Sequence, residues 1–142
     1  MSVAFTTTRR VEFADTDMAG LVHFTTYYRM MESVEHEFLR SLGTSVLNRD
    51  DDGRTVSWPR LAAECEFHAP AFFEDELQIS IRVASLGRSS LVLKYEFFRG
   101  DDRIANGRMK TVCCEVQKGE SLRSIEIPVE LKSQLATLVE VE

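Results

Sequence analysis

Apolar residues alternate with polar ones along most of this chain, and one stretch breaks the rule. Between Thr25 and Leu42 the apolar positions Tyr28, Met31, Val34, Phe38 and Leu42 recur at steps of three and four, with Glu35 beside Val34. That spacing predicts a helix with one buried face. Thr25 or Thr26 is suited to cap its start, and Gly43 stands where a left-handed residue ends helices. Elsewhere the period is two. Phe5–Phe13 reads as a first strand. Leu61, Ala63, Cys65 and Phe67 alternate with Ala62, Glu64, Glu66 and His68, which predicts a half-buried strand broken at Pro70. Leu77, Ile79, Ile81 and Val83 make the next, and Leu91, Leu93, Tyr95 and Phe97 another. The turns between them are Ser85–Ser90 and Arg99–Arg103, and Ile104–Val116 follows as one long strand or two. A turn at Lys118–Ser121 precedes a short strand, Leu122–Ile125. Pro128 then opens a terminal helix at its first position. Asn48–Arg54, NRDDDGR, reads as a charged turn or loop.

Strand, long helix, then an antiparallel meander is an α+β arrangement, with the helix packed on one face of a curled sheet. One helix covers one face only. Open strand edges and exposed apolar faces invite pairing, so a homo-oligomer is expected.

Length and composition narrow the classes. The 142 residues suit one domain, 1–142, large enough to hold a core without disulfides or metal. A net charge of −6 argues against nucleic acid as a partner. No apolar run reaches the ~20 residues of a membrane span, and MSVAFTTTRRVEF lacks the apolar core of a signal peptide. Cys65, Cys113 and Cys114 form no C-x-x-C pair and sit in strand-like segments, which suits a reduced, cytoplasmic setting and a packing role.

The chemistry concentrates at Asp15 and Asp17, just ahead of the helix. As a calcium loop the segment fails, because the fifth position is Ala19 and the twelfth is Thr26. A phosphoryl-aspartate site would need a parallel βαβ frame, which the meander contradicts. His23, His36 and His68 are too scattered for zinc, so no metal or cofactor is expected. What remains is an acid near a helix start, where unpaired amides can stabilise a developing oxyanion. A carboxylate beside them can attack a carbonyl or activate water. Equally, both acids can simply complement the helix dipole.

Three segments bear on that choice. RRVEFADTDMAGLVHFTTYYRMMESVEHEFLRSLG resembles the opening signature of the hot-dog-fold acyl-CoA thioesterases of the 4-hydroxybenzoyl-CoA thioesterase family. WPRLAAECEFHAPAFFEDELQISIRVASLGRSSLVLKYEFFR resembles that family's central strands, and SLRSIEIP its final strand. The resemblance implies a curled antiparallel sheet wrapped around one long central helix, acting on an acyl- or aroyl-CoA thioester. It puts Asp17 on the family's catalytic aspartate, as nucleophile or general base, and the oxyanion-binding backbone N–H near His23 or Phe24. It further implies that Arg88, Ser89 and Ser90 meet CoA phosphates, and that Pro59 and Arg60 reach across a dimer interface. Glu32 occupies the position that reads a ring hydroxyl in hydroxybenzoyl-type members. The sites would then lie at subunit boundaries of a homodimer or homotetramer. One departure is visible: a histidine that many members carry directly before the helix falls one place earlier, at His23, and Phe24 takes its position. One step turns a helical side chain by about 100°.

Two other readings share these residues. A hot-dog dehydratase or hydratase would use Asp17 with a proton-moving His23. A non-catalytic acyl-CoA or acyl-carrier binding module would keep Arg88 and an apolar slot without needing Asp17.

Overall fold

A computed structural model describes residues 3–49 and 52–140 of the chain. Five strands form the main antiparallel sheet: β1 (Phe5–Arg10), β4 (Arg60–Phe67), β5 (Glu76–Leu86), β6 (Ser90–Arg99) and β7 (Asp102–Val112), in the order β1-β5-β6-β7-β4. A smaller sheet joins β2 (Asn48–Arg49), β3 (Thr55–Ser57), β8 (Cys114–Val116) and β9 (Arg123–Ser124). The long helix α1 (Phe24–Ser41) lies on the main sheet, and a short one, α2 (Val129–Ala136), follows near the end of the chain. This is the α+β arrangement the periodicity predicts, a curled sheet around a helix.

The alternating strands landed where expected because one face is dry. Leu77, Ile79, Ile81 and Val83 on β5 are fully buried, as are Tyr95 and Phe97 on β6. They meet Met31, Val34, Phe38 and Leu39 of α1. Each such side chain contributes roughly 1.5–3 kcal/mol by leaving water. Gly107 of β7 lies under α1, and a Cβ there would crowd the Met31 thioether. The missing side chain leaves room for that methionine.

Four boundaries differ from expectation, each for a local reason. β1 stops at Arg10, and Phe13–Asp15 forms a 3-10 turn instead of continuing the strand. The Asp15 carboxylate causes this: Oδ2 accepts the Glu12 N–H at 2.8 Å and closes a turn. His23, not Thr25 or Thr26, caps α1. Pro128 occupies the cap of α2 rather than its first helical position. The start of the Asn48–Arg54 segment pairs with the residues just after it, Asn48 opposite Val56 and Arg49 opposite Thr55; residues 50 and 51 lie outside the described residues. Gly43 does end α1, at φ +84, with Thr44 N–H donating to Leu39 C=O and Gly43 N–H to Arg40 C=O.

The largest correction concerns β4. Its ladder with β7 slips between Arg60 and Ala62, a β-bulge that sets Arg60, rather than Leu61, opposite the buried Thr111. Leu61 is left 63% exposed and Phe67 49% exposed. Beyond the bulge Ala63, Cys65 and Phe67 keep the expected phase, opposite the buried Met109, Gly107 and Ala105; Cys65 is half-buried, while Ala63 and Phe67 are open in the single chain. β4 is also an edge of the main sheet, with β7 its one partner in the ladder.

Candidate active site

Asp17 sits on a tight hairpin that doubles back into the start of α1. Its N–H donates to Leu21 C=O at 2.7 Å, and Gly20, at φ +85, makes the left-handed turn that closes the loop. The carboxylate is pinned from within: Oδ1 accepts the N–H of Ala19 at 2.9 Å and of Leu21 at 3.2 Å. The residue remains exposed in the single chain. Its second oxygen makes no protein hydrogen bond among the described residues.

Asp15 fixes this hairpin to the helix. Its backbone C=O accepts the His23 N–H at 2.8 Å and the Thr26 hydroxyl at 2.9 Å. Two of the three amides at the helical tip are thereby used. His23 N–H belongs to Asp15, and Thr25 N–H donates to His23 Nδ1 at 3.2 Å. Of the two donors the resemblance offers, His23 is occupied. Phe24 N–H carries no hydrogen bond within the described residues, and Phe24 is 58% exposed beside a shallow apolar groove formed by Leu21, Val22, Tyr27, Phe67 and Pro70. The His23 ring stacks on Phe24, with centroids 4.8 Å apart, and its Nδ1 lies 2.7 Å from Thr25 Oγ1. That nitrogen is engaged in capping.

Further along α1 the acids change character. Glu32 is 55% exposed, while Glu35, one turn on, is 2% exposed. Arg60 joins them. Its Nη2 lies 3.1 Å from Glu35 Oε1 and 3.6 Å from Glu32 Oε2, and its Nη1 touches Met109 Sδ at 2.8 Å. Burial pushes the Glu35 carboxyl up to about 7, against the pull of Arg60 and with a push from Glu32. The Tyr95 hydroxyl lies in the same buried region with no hydrogen-bond partner among the described residues, and burial raises it well above its ordinary value. Pro59 precedes Arg60 and is half-buried; its C=O accepts the Val112 N–H at 3.0 Å. Sequence reading saw Glu35 only as a member of a helix face. The signal was an acid on an otherwise apolar stripe.

The β5–β6 turn carries Arg88 exposed, with Ser89 and Ser90 half-buried. Arg88 C=O accepts from Ile127 N–H at 2.9 Å, and Ser89 C=O from Cys113 N–H at 2.7 Å. The turn is thus fixed from two sides, and the Arg88 guanidinium makes no hydrogen bond or ion pair among the described residues. Burial pushes the Cys65 and Cys113 thiols up to about 11, which leaves neither as a ready nucleophile. Among the described residues no set of His, Cys, Asp or Glu is grouped to hold a metal, and no helix is long and apolar enough to cross a membrane.

The segment leading into α1 thus carries a fixed carboxylate on its hairpin and one open amide at the helical tip. The thioesterase-like superfamily matches residues 11–135. The chain belongs to that superfamily. A relative from Aquifex aeolicus, named "Putative esterase", is 34% identical over 123 residues, covering 87% of this chain and 91% of its own. The 4-hydroxybenzoyl-CoA thioesterase of a Pseudomonas species is 26% identical over 135 residues, covering 92% and 96%. The crystal structure of a gentisyl-coenzyme A thioesterase superposes with a TM-score of 0.80 at 28% identity, over 92% of this chain and 99% of that one. The hot-dog fold and the resemblance to the 4-hydroxybenzoyl-CoA thioesterases are borne out together.

Proposed function

We propose that the protein hydrolyses acyl-CoA thioesters, with Asp17 as the acting carboxylate and Phe24 N–H as the oxyanion donor. The carrying observation is the pairing at the start of α1: a carboxylate fixed through one oxygen by two amides, beside a helical tip whose Phe24 N–H is unused. The thioester carbonyl would rest against that N–H, where the partial positive charge of the helix end adds to the hydrogen bond. A donor of this kind lowers a barrier by roughly 2.7–4 kcal/mol. Asp17, presenting its second oxygen, attacks the carbonyl carbon and expels the CoA thiolate, leaving a mixed anhydride that water cleaves. Alternatively it draws a proton from water that attacks directly.

The remaining assignments follow the same reading. Arg88, Ser89 and Ser90 contact CoA phosphates from a turn anchored at both carbonyls. Pro59 leads into, and Arg60 begins, the open edge strand β4, whose exposed Leu61 and Phe67 favour a second copy of the chain against it, so that each site draws on two subunits. Glu32 is the acceptor for a hydroxyl on an aroyl group, the chemistry named in the Pseudomonas and gentisyl relatives.

Asp17→Asn tests the assignment. Release of free thiol from acyl-CoA should fall roughly 10²–10⁴-fold, the range for loss of a positioned base or nucleophile, while the fold is kept. Near-normal turnover across a panel of thioesters would refute it, and equal CoA affinity without any hydrolysis in the parent protein would favour a binding module. Single turnover in ¹⁸O-water then separates the two routes: label in Asp17 marks the anhydride, whereas label confined to the product acid fits direct attack by water.

A further inference from the structure

Hydrolysis at Asp17 has no use for an ion pair under the middle of α1, yet the chain builds one with some effort. A regular β4 ladder would have turned Leu61 inward opposite Thr111; the bulge substitutes Arg60. The inward guanidinium meets Glu35, which is buried on the apolar face of α1 between Met31 and Phe38. Buried pairs of this sort seldom add stability over apolar residues of similar volume, so packing alone does not explain the arrangement. A single nitrogen, Nη2, faces both Glu35 at 3.1 Å and Glu32 at 3.6 Å. The first is a hydrogen bond, and the second falls just short of one.

We propose that Glu35 is a positioning residue that decides which carboxylate Arg60 serves. While Glu35 holds the guanidinium inward, Glu32 stays open to a hydroxyl on the acyl group; when Glu35 lets go, Arg60 closes onto Glu32 and blocks it. This rests on the reading of Glu32 given above. The groups facing the pair are few: from α1, Glu32 and the His36 ring, whose Nε2 is 3.8 Å from Glu35 Oε1; from β6, the unpartnered Tyr95 hydroxyl; from β7, the Met109 sulfur. Burial lowers the His36 pKa and raises that of Tyr95, so both stay neutral around pH 7. Glu35, pushed up to about 7, is the group that changes charge there. Above that pH it is ionised and keeps Arg60; below it the neutral acid yields Arg60 to Glu32.

The test compares 4-hydroxybenzoyl-CoA with benzoyl-CoA as substrates between pH 6 and 8.5. In the parent protein the ratio of their KM values, hydroxylated over plain, should rise several-fold as pH falls through 7, with kcat for both following a common profile. Glu35→Gln and Glu35→Met should hold that ratio high at every pH while leaving benzoyl-CoA parameters unchanged. Equal shifts for both substrates, or an unaltered ratio, would overturn the proposal. A second readout needs no substrate: the guanidinium ¹⁵N signals of Arg60 should titrate near pH 7 in the parent and not in Glu35→Gln. A guanidinium that does not titrate sinks the switch itself. One that titrates, beside a Glu32→Gln enzyme with unchanged substrate preference, overturns the role of Glu32 and leaves the arginine switch standing.

Discussion

Asp17 and Glu35 are carboxylates on either side of the same helical segment, held in opposite ways. Asp17 lies in water and is fixed by backbone amides two and four residues along, in a hairpin that needs only Gly20 to close. Glu35 lies in the core and is fixed by one side chain from a distant strand, through a bulge that displaces a leucine. The first arrangement is local and is encoded within seven residues. The second depends on the register of two strands and the height of a helix. An acid that must stay charged and reachable is built from the backbone; one whose charge is to be adjustable is put out of water.

Breaking each arrangement should therefore give different signatures. The largest effect is on rate: Asp17→Asn should abolish most hydrolysis and leave thermal unfolding unmoved, since the amides of Ala19 and Leu21 can bond the amide oxygen instead. Arg60→Met should act chiefly on stability, costing about 3–5 kcal/mol in urea unfolding at pH 8, because a buried charge loses its partner. At pH 6 the same variant should lose much less, since Glu35 then carries a proton. A slightly smaller effect belongs to the parent protein. The folded-state pKa of Glu35, about 7, lies above its ordinary 4.5, so the folded chain binds more protons in that window. Stability contributed by Glu35 is thus full below 4.5 and falls as pH rises to about 7, by about 3 kcal/mol. Glu35→Gln should flatten that slope, and a slope that persists would assign it to another group. The smallest is His23→Ala, which removes the cap on Thr25 N–H and should cost about 1 kcal/mol, as lost N-caps do. It should barely touch hydrolysis if Phe24 N–H is the donor in use.

Much of the fold was legible because burial imposes period on sequence. β5 and β6 have one dry face, and every second residue records it. The end of α1 was legible because Gly43 takes a backbone conformation that other residues resist. What failed were features that leave no periodic trace. A bulge adds a residue without changing composition, so Leu61 looked inward when Arg60 is. Thr25 and Thr26 drew attention as the commoner capping types, although His23, open to a capping or packing role from sequence, is the residue that caps. Residues 11–13 continued the alternation of β1 closely enough to pass as strand, although β1 ends at Arg10. Asp17 and Phe24 stood out through their resemblance to a known signature. Glu35 could have been found from physics alone, since an acid in a leucine-like position must have a partner, and the sequence does not say which.

Gly107 lies under the same helix. A Cβ there would crowd the Met31 thioether, the end of a side chain able to swing aside. Met31 precedes Glu35 by one turn on that face, so filling the glycine would press first on a neighbour of the buried acid. A glycine in mid-strand thus keeps free the space that a methionine takes up.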